Sequence, residues 1–455
     1  MKILLKHEGV NRVEAYKFET KAVHAGQHPD EATGAIIPPI YQTATYVLEE
    51  IGKTKGYDYS RTSNPTRTIL EQLVAALEGS QYGVAFASGM AAIDGIIRAR
   101  LRARDHVVVC DDAYGGVYRL FEQNFRKYGL QFTYVDTTDP ENVMDAIRDE
   151  TRVVWLETPT NPLLKVSDLE AISDIVQQVN QQRIPSPPRG AATDKRLAGE
   201  IPETRILTVV DNTFMTPYFL QPFKWGADLS IHSTTKYLSG HNQLIGGLVV
   251  VRDDPTRWYY KPRPVENAPL REGVTESPKG TGQTELVNTV YQDLKFIQNA
   301  VGATPSPFDC WLTILGIKTL ALRMRCHDNN ARKIVSFLTQ HPKVARVYYP
   351  GLEGHKNHAI AKRQMTGFGG IISFELKGGL ADGCKLMNQV KLWSLAESLG
   401  AVESMITHPA SMTHVSVPRD VRLARGITDG LVRLSVGIEN VDDLIADLQQ
   451  ALEQI

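Results

Sequence analysis

Short, nearly unbroken apolar runs, each closing on a polar residue, constrain this chain more than any other feature. Val84 to Ala87 runs into Ser88-Gly89-Met90, His106 to Cys110 into Asp111-Asp112, and Val153 to Leu156 into Glu157. Ile206 to Val210 closes on Asp211, and Leu229 to Ile231 feeds His232-Ser233-Thr234-Thr235-Lys236. A strand wet on one side alternates apolar and polar residues, whereas a continuous apolar run has to be covered on both faces. Helical stretches separate the runs, which predicts an α/β fold around a mostly parallel sheet. In such sheets ligands bind in the crevice beyond the carboxyl ends of the strands. The polar residues that end the runs therefore face one crevice.

The helices between the runs carry their own signals. Asn64 is a good N-cap, Pro65 suits the first helical position, and Ile69, Leu70, Leu73, Val74 and Leu77 form a stripe that Gly79 ends. Ser167 with Glu170 reads as a capping box for a helix carrying Leu169, Ile172, Ile175, Val176 and Val179. Residues 1–63 have no sustained periodicity and include Pro38-Pro39, which predicts an extended arm. After Pro307 the texture changes: Trp311 to Met324 and Asp328 to Leu338 read as helices, Gly370 to Glu375 as a strand, and Val441 to Leu452 as a final helix capped by Asn440. This division predicts a large domain over 64–315 and a smaller α+β C-terminal domain over 316–455. Two stretches rich in Pro, Gly and charge, about 181–204 and 253–283, read as surface inserts; the second carries Trp258, Tyr259 and Tyr260.

Composition excludes some classes of function. Lys+Arg number 50 against Asp+Glu 51, so no net field draws nucleic acid or an acidic membrane, and a small, roughly neutral partner is expected. Cys110, Cys310, Cys326 and Cys384 are scattered without a CxxC pair, which argues for reduced thiols in a cytoplasmic protein and against a structural metal. The N-terminus has three consecutive apolar residues before Lys6 and His7, too few for a secretory signal. No GxGxxG follows a predicted strand, which disfavours a dinucleotide site.

A carboxylate, Asp211, and an amine, Lys236, at two strand ends beside hydroxyls that can hold a phosphate are what pyridoxal phosphate (PLP) needs. The turn Ser88-Gly89-Met90 at a helix start offers free backbone N–H groups to an anion. Tyr114, beside Gly115 and Gly116, can lie flat against a ring, and Asn161 sits in a loop stiffened by Pro159 and Pro162. Arg433 alternates with apolar residues, so it is either a charge on the solvent face of an edge strand or a grip for a carboxylate.

The segments YSRTSNPT, AFASGMAA, DDAYGG, ETPTNP, TVVDNTF, HSTTKY, LAESLGAVES and LVRLSVGIE occur in that order. In them the chain resembles the Cys/Met-metabolism family of PLP enzymes from about Phe18 onward. The resemblance implies the aspartate-aminotransferase-like fold (fold type I) and a homotetramer built from two active dimers. It implies Lys236 as Schiff-base lysine and general acid/base, Asp211 as partner of the pyridinium nitrogen, and Thr213 as a further cofactor contact. Gly89, Met90, Ser233 and Thr235 match the phosphate cradle, while Tyr59 and Arg61 match residues that reach the neighbouring subunit's phosphate. Tyr114 matches the ring-stacking tyrosine and, with Lys236, a proton shuttle. Asn161, Ser398 and Arg433 match the grip on the substrate α-carboxylate, and Glu397, Asp58 and Arg119 match positions that recognise the distal end of cystathionine. The acidic Glu397 favours a cystathionine γ-lyase, with the γ-synthase next and the β-lyase and methionine γ-lyase behind. A non-catalytic relative with an assembly or regulatory role is the contrasting class, and the intact Asp211, Lys236 and Arg433 oppose it.

Overall fold

The apolar runs pair into one seven-stranded sheet in a computed structural model that describes residues 15–183, 204–264 and 284–455. Its strands are β1 (Tyr82–Phe86), β2 (His106–Cys110), β3 (Gln131–Val135), β4 (Thr151–Glu157), β5 (Leu207–Asp211), β6 (Leu229–His232) and β7 (Gly247–Val251). The spatial order is β1-β7-β6-β5-β4-β2-β3, and β7 alone runs against its neighbours. Residue parity explains the unbroken runs. Val107, Val109, Val153, Trp155, Val209 and Val249 pack into one core, while Val108, Val154, Leu156, Val210, Leu248 and Val250 pack into another on the opposite face. Each such side chain gains about 1.5–3 kcal/mol on burial, so a polar residue within a run would be selected against on either face.

A two-stranded hairpin, β8 (Tyr260–Pro264) with β9 (Thr284–Asn288), follows, and then a five-stranded sheet. The second sheet contains β10 (Val344–Tyr348), β11 (Ile371–Leu376), β12 (Ser394–Leu395), β13 (Met405–Thr407) and β14 (Leu431–Ser435), ordered β10-β11-β14-β13-β12. Because β14 lies between β11 and β13, Arg433 is on an interior strand and not on an edge.

Several local expectations need correction. The arm contains a short helix, α1 (Phe18–His24), held by Phe18 packed edge-on to Tyr218 at 5.1 Å and by buried Ala22 and Ala25. Alanines are too small to register as an apolar stripe. The helix α2 (Pro65–Glu78) begins and ends as expected, with Asn64 Oδ1 accepting from Thr66 N and Arg67 N and Gly79 in the left-handed region. The helix after Asp168 (Leu169–Gln182) is capped by Asp168, which accepts from Ala171 N; Ser167 instead hydrogen-bonds Thr137 at 2.7 Å. After Pro307 the chain forms Pro307–Lys318 and then one long helix, Leu320–Gln340, with the break at Thr319. Arg323 ties the break to the site: it donates to Gly316 O at 2.7 Å, which also accepts from Thr319, and to Tyr237 O at 2.7 Å just past Lys236.

The second insert differs from the reading of it as a surface loop, while most of the first lies outside the described residues. The first ends the Leu169–Gln182 helix, and 184–203 lie outside the described residues, as do 1–14 and 265–283. Within the second, Tyr259 is fully buried and Trp258 and Tyr260 pack on the same core as β2 and β4. Among the described residues, no helix is long and apolar enough to cross a membrane.

Asn64 does more than cap: its Nδ2 donates to Tyr41 O, Tyr46 Oη and Ser60 Oγ at 2.9, 3.2 and 3.1 Å, tying the arm to α2. Asn64→Ala is therefore expected to cost about 1–2 kcal/mol. Calorimetry should record a lower melting midpoint, and an unchanged midpoint would contradict this role.

Candidate active site

Asp211 closes β5, and Lys236 lies in the turn that follows β6, so adjacent strands deliver a carboxylate and an amine to one end of the sheet. Lys236 Nζ donates to Ser398 Oγ at 2.9 Å. The Ser398 carbonyl accepts from Arg433 Nη2 at 2.9 Å, and Arg433 Nη1 donates to Asn161 Oδ1, also at 2.9 Å. One hydrogen-bonded chain thus joins residues from four separate stretches of sequence. Burial pushes the Lys236 amine down to about 8, the nearby Arg433 cation adds to this, and Glu397 opposes it. Arg433 is 1% exposed, and burial lowers its guanidinium to about 10. Its Nε has no hydrogen-bond partner, and no ion pair reaches it among the described residues. A buried guanidinium held by neutral acceptors with one N–H unmatched is suited to an incoming carboxylate.

A second chain holds the other end. Asp211 Oδ1 accepts from Thr213 N at 3.0 Å, and Thr213 Oγ1 accepts from Ser233 N at 2.9 Å. Burial raises the Asp211 pKa, opposed by its bonds to Thr213 and by His232. His232 is itself buried against Glu78, Nε2 to Oε1 2.7 Å. Gly89 begins the helix α3 (Gly89–Arg100), whose N-cap Ser88 accepts from Ala91 N at 3.0 Å. A Cβ on Gly89 would come within 2.9 Å of Ser233 Cβ, so these two backbones approach as closely as glycine permits. Tyr114 begins the helix α4 (Gly115–Gln123), and a Cβ on Gly116 would meet both the Tyr114 ring at 2.3 Å and Met90 Sδ at 2.9 Å. The Thr235 hydroxyl is turned to Gly246, accepting from its N at 3.0 Å.

Of the remaining expected residues, Glu397 lies close enough to act on the Lys236 charge, whereas Tyr59, Arg61, Asp58 and Arg119 show no contact with Lys236. Tyr59 is 43% exposed, Arg61 lies 5.6 Å from its ring centroid and donates to Asn299 O at 2.6 Å, and Asp58 accepts from Tyr59 N. Arg119 is exposed on α4, and Glu397 is exposed next to Ser398. Sequence reasoning missed Thr407, which accepts from Arg433 Nη2 at 3.3 Å, and gave no role to two buried acids, Asp112 and Glu157. Asp112 and Glu157 stand at the ends of apolar runs, the same signal that marked Asp211. Thr407 has no such signal, because it meets Arg433 across two strands.

A model of the Cys/Met metabolism PLP-dependent enzyme family matches residues 19–453. The chain belongs to that family. A cystathionine γ-lyase of Bacillus subtilis (strain 168) is 45% identical over 439 residues, covering 96% of this chain and 100% of the relative. A cystathionine β-lyase of Coxiella burnetii is 45% identical over 437 residues, covering 96% and 97%. The crystal structure of cystathionine γ-synthase from Xanthomonas oryzae pv. oryzae, in complex with aminoacrylate and cysteine, has a TM-score of 0.81 and 38% identity, covering 96% of this chain and 98% of that one. The protein is thus a PLP-dependent enzyme, and relatives of three different activities match it comparably well.

The residues present fit that cofactor. Asp211 is a half-buried carboxylate whose raised pKa marks the want of a cationic partner, which a pyridinium N–H would supply. Lys236 is an amine kept partly neutral, as attack on an aldehyde demands. In competitive acetylation of the cofactor-free protein, Lys236 reactivity should rise with pH through a midpoint near 8, because only the neutral amine reacts. Arg433→Met removes a cation that holds this pKa down, so the midpoint should move upward; a midpoint that stays put would refute the coupling.

Proposed function

We propose that this protein is a cystathionine γ-lyase, converting L-cystathionine and water to L-cysteine, 2-oxobutanoate and ammonia. The observation that carries the choice is Glu397: an exposed carboxylate beside Ser398, near enough to raise the Lys236 pKa, suited to receive the second amino group of cystathionine. PLP when bound supplies an electron sink for charge that develops at the substrate α-carbon.

This chain's residues do the rest. Asp211 holds a positive charge on the cofactor nitrogen, with Thr213 fixing its carboxylate. Gly89, Met90, Ser233 and Thr235 hold the phosphate, and Tyr114 lies against the ring. Arg433 and Asn161 grip the α-carboxylate; Ser398 keeps the Lys236 amine beside that grip. Lys236 then removes the α-proton, and Lys236 and Tyr114 move the protons at Cβ and at the departing sulfur. Asp58 and Arg119 complete recognition of the distal end.

The reading includes an active dimer, within a tetramer. Its support is the arm that also carries Tyr59 and Arg61: Ile36 is 84% exposed, Val47 90% and Ile51 92%. Several large apolar side chains at that exposure on one arm suit burial against a second subunit. A γ-synthase, joining cysteine to an O-acyl-homoserine, is the second reading, since the Xanthomonas enzyme is a structural relative of that activity.

Product analysis separates the two. Keto acid and cysteine from cystathionine are expected, and cystathionine formed from O-acyl-homoserine and cysteine as the main activity would reverse the assignment. Lys236→Ala should abolish turnover while the protein still melts cooperatively. Chains carrying Arg61→Ala and Lys236→Ala, inactive apart, should regain activity when co-expressed, because one site in each mixed dimer then has both groups. No regain would place Arg61 in its own subunit's site.

A further inference from the structure

Two buried acids next to the site have no part in the chemistry above. Asp112 follows β2 and is 1% exposed; Glu157 ends β4 and is 4% exposed. Asp112 Oδ2 accepts from Thr160 Oγ1 at 2.6 Å and from Leu163 N at 3.0 Å, both in the loop after β4. Glu157 Oε2 accepts from Tyr114 N at 2.9 Å, in the loop after β2. Each acid therefore reaches into the loop that follows the other's strand. Tyr114 lies on one of these loops and Asn161, the acceptor for Arg433, on the other.

We propose that Asp112 and Glu157 are positioning residues: a reciprocal brace that holds the Tyr114 loop against the Asn161 loop and so sets where the proposed ring-stacking and carboxylate-gripping groups stand relative to each other. Glu157 is also the register partner of Asp211 on β5, so the brace is anchored to the strand that carries the cofactor's proposed counter-charge. A third segment closes over both loops. His414 Nε2 lies 3.0 Å from Asn161 O, with burial keeping the ring neutral so that this nitrogen donates, and a Cβ on Gly115 would come within 2.4 Å of Thr413 O. Fastening two loops needs only neutral donors and acceptors, whereas a buried carboxyl carries a desolvation cost. Burial pushes Asp112 up to about 7, and its Oδ1 has no partner. An amide of the same shape should therefore replace it with little change, and alanine should not.

The inference rests on the roles proposed for Tyr114 and Asn161, and the experiment separates the two. Cofactor-free native protein, Asp112→Asn, Asp112→Ala, Glu157→Ala and the double alanine variant are titrated with PLP. For each, the visible circular dichroism per bound cofactor, kcat and KM are then measured. The native protein and Asp112→Asn should agree within about threefold. Asp112→Ala should weaken PLP binding, lower the dichroism per bound cofactor and raise KM, with kcat/KM falling about tenfold to a hundredfold, as expected for misplacement on the ångström scale. The double variant should lose little more than the worse single one, since both remove one brace. Native dichroism and KM in the alanine variants, or losses that multiply in the double, would overturn the proposal even if the melting midpoint falls. Should the alanine variants not fold, Thr160→Val, which deletes a single donor, is read in the same way and must show the raised KM and reduced dichroism. Native protein with Tyr114→Ala or Asn161→Ala that left dichroism and KM unchanged would instead discard the roles on which the brace rests.

Discussion

The site depends on keeping one buried cation, Arg433, out of any ion pair among the described residues. An ion pair would satisfy the guanidinium and at the same time close it to an acidic ligand. The protein holds it with neutral oxygens instead: Asn161 Oδ1, the Ser398 carbonyl and Thr407 Oγ1. Neutral acceptors orient the group without cancelling its field, and that field reaches Lys236, whose amine it helps to keep partly neutral. The proposed anion grip and the reactivity of the amine are consequences of the same buried charge.

The large sheet makes this arrangement possible by ending adjacent strands in acids. Asp112, Glu157 and Asp211 follow or close β2, β4 and β5, which are neighbours in the sheet. Parallel strands leave their final residues pointing into a shared crevice, where loop backbone N–H groups are available as donors. Tyr114 N, Leu163 N and Thr213 N take up those donor positions. Acids that would be intolerable in the middle of a strand are thus accommodated at or just past its end, and the loops they fasten carry the groups proposed to contact cofactor and substrate.

Much of this was legible one residue at a time. The cap at Asn64, the stop at Gly79 and the final helix Val441–Leu452 rest on interactions within a few positions, so local chemistry was enough, and the strand His106–Cys110 was legible from its continuous apolar run. Other features failed for one reason: their partners are distant in sequence. Phe18 finds Tyr218, Arg323 finds Gly316 and the Tyr237 carbonyl, and Tyr259 finds the core beneath β2 and β4. Ser167 looked like a cap and instead bonds Thr137. Thr407 carries no mark of its own until β13 is laid beside β14.

By itself the sequence determined the parallel sheet, the polar ends of its strands and the family to which those motifs belong. Unbroken apolar runs can be buried in few ways, and motif spacing follows from strand and loop lengths. Tertiary structure decided that Arg433 is interior and unpaired, that Lys236 meets Ser398, and that Asp112 and Glu157 cross into each other's loops. Those outcomes depend on which strand lies beside which, a choice set by burial summed over the whole molecule. They also leave Tyr59 and Arg61 exposed on the single chain, with Arg61 donating to Asn299.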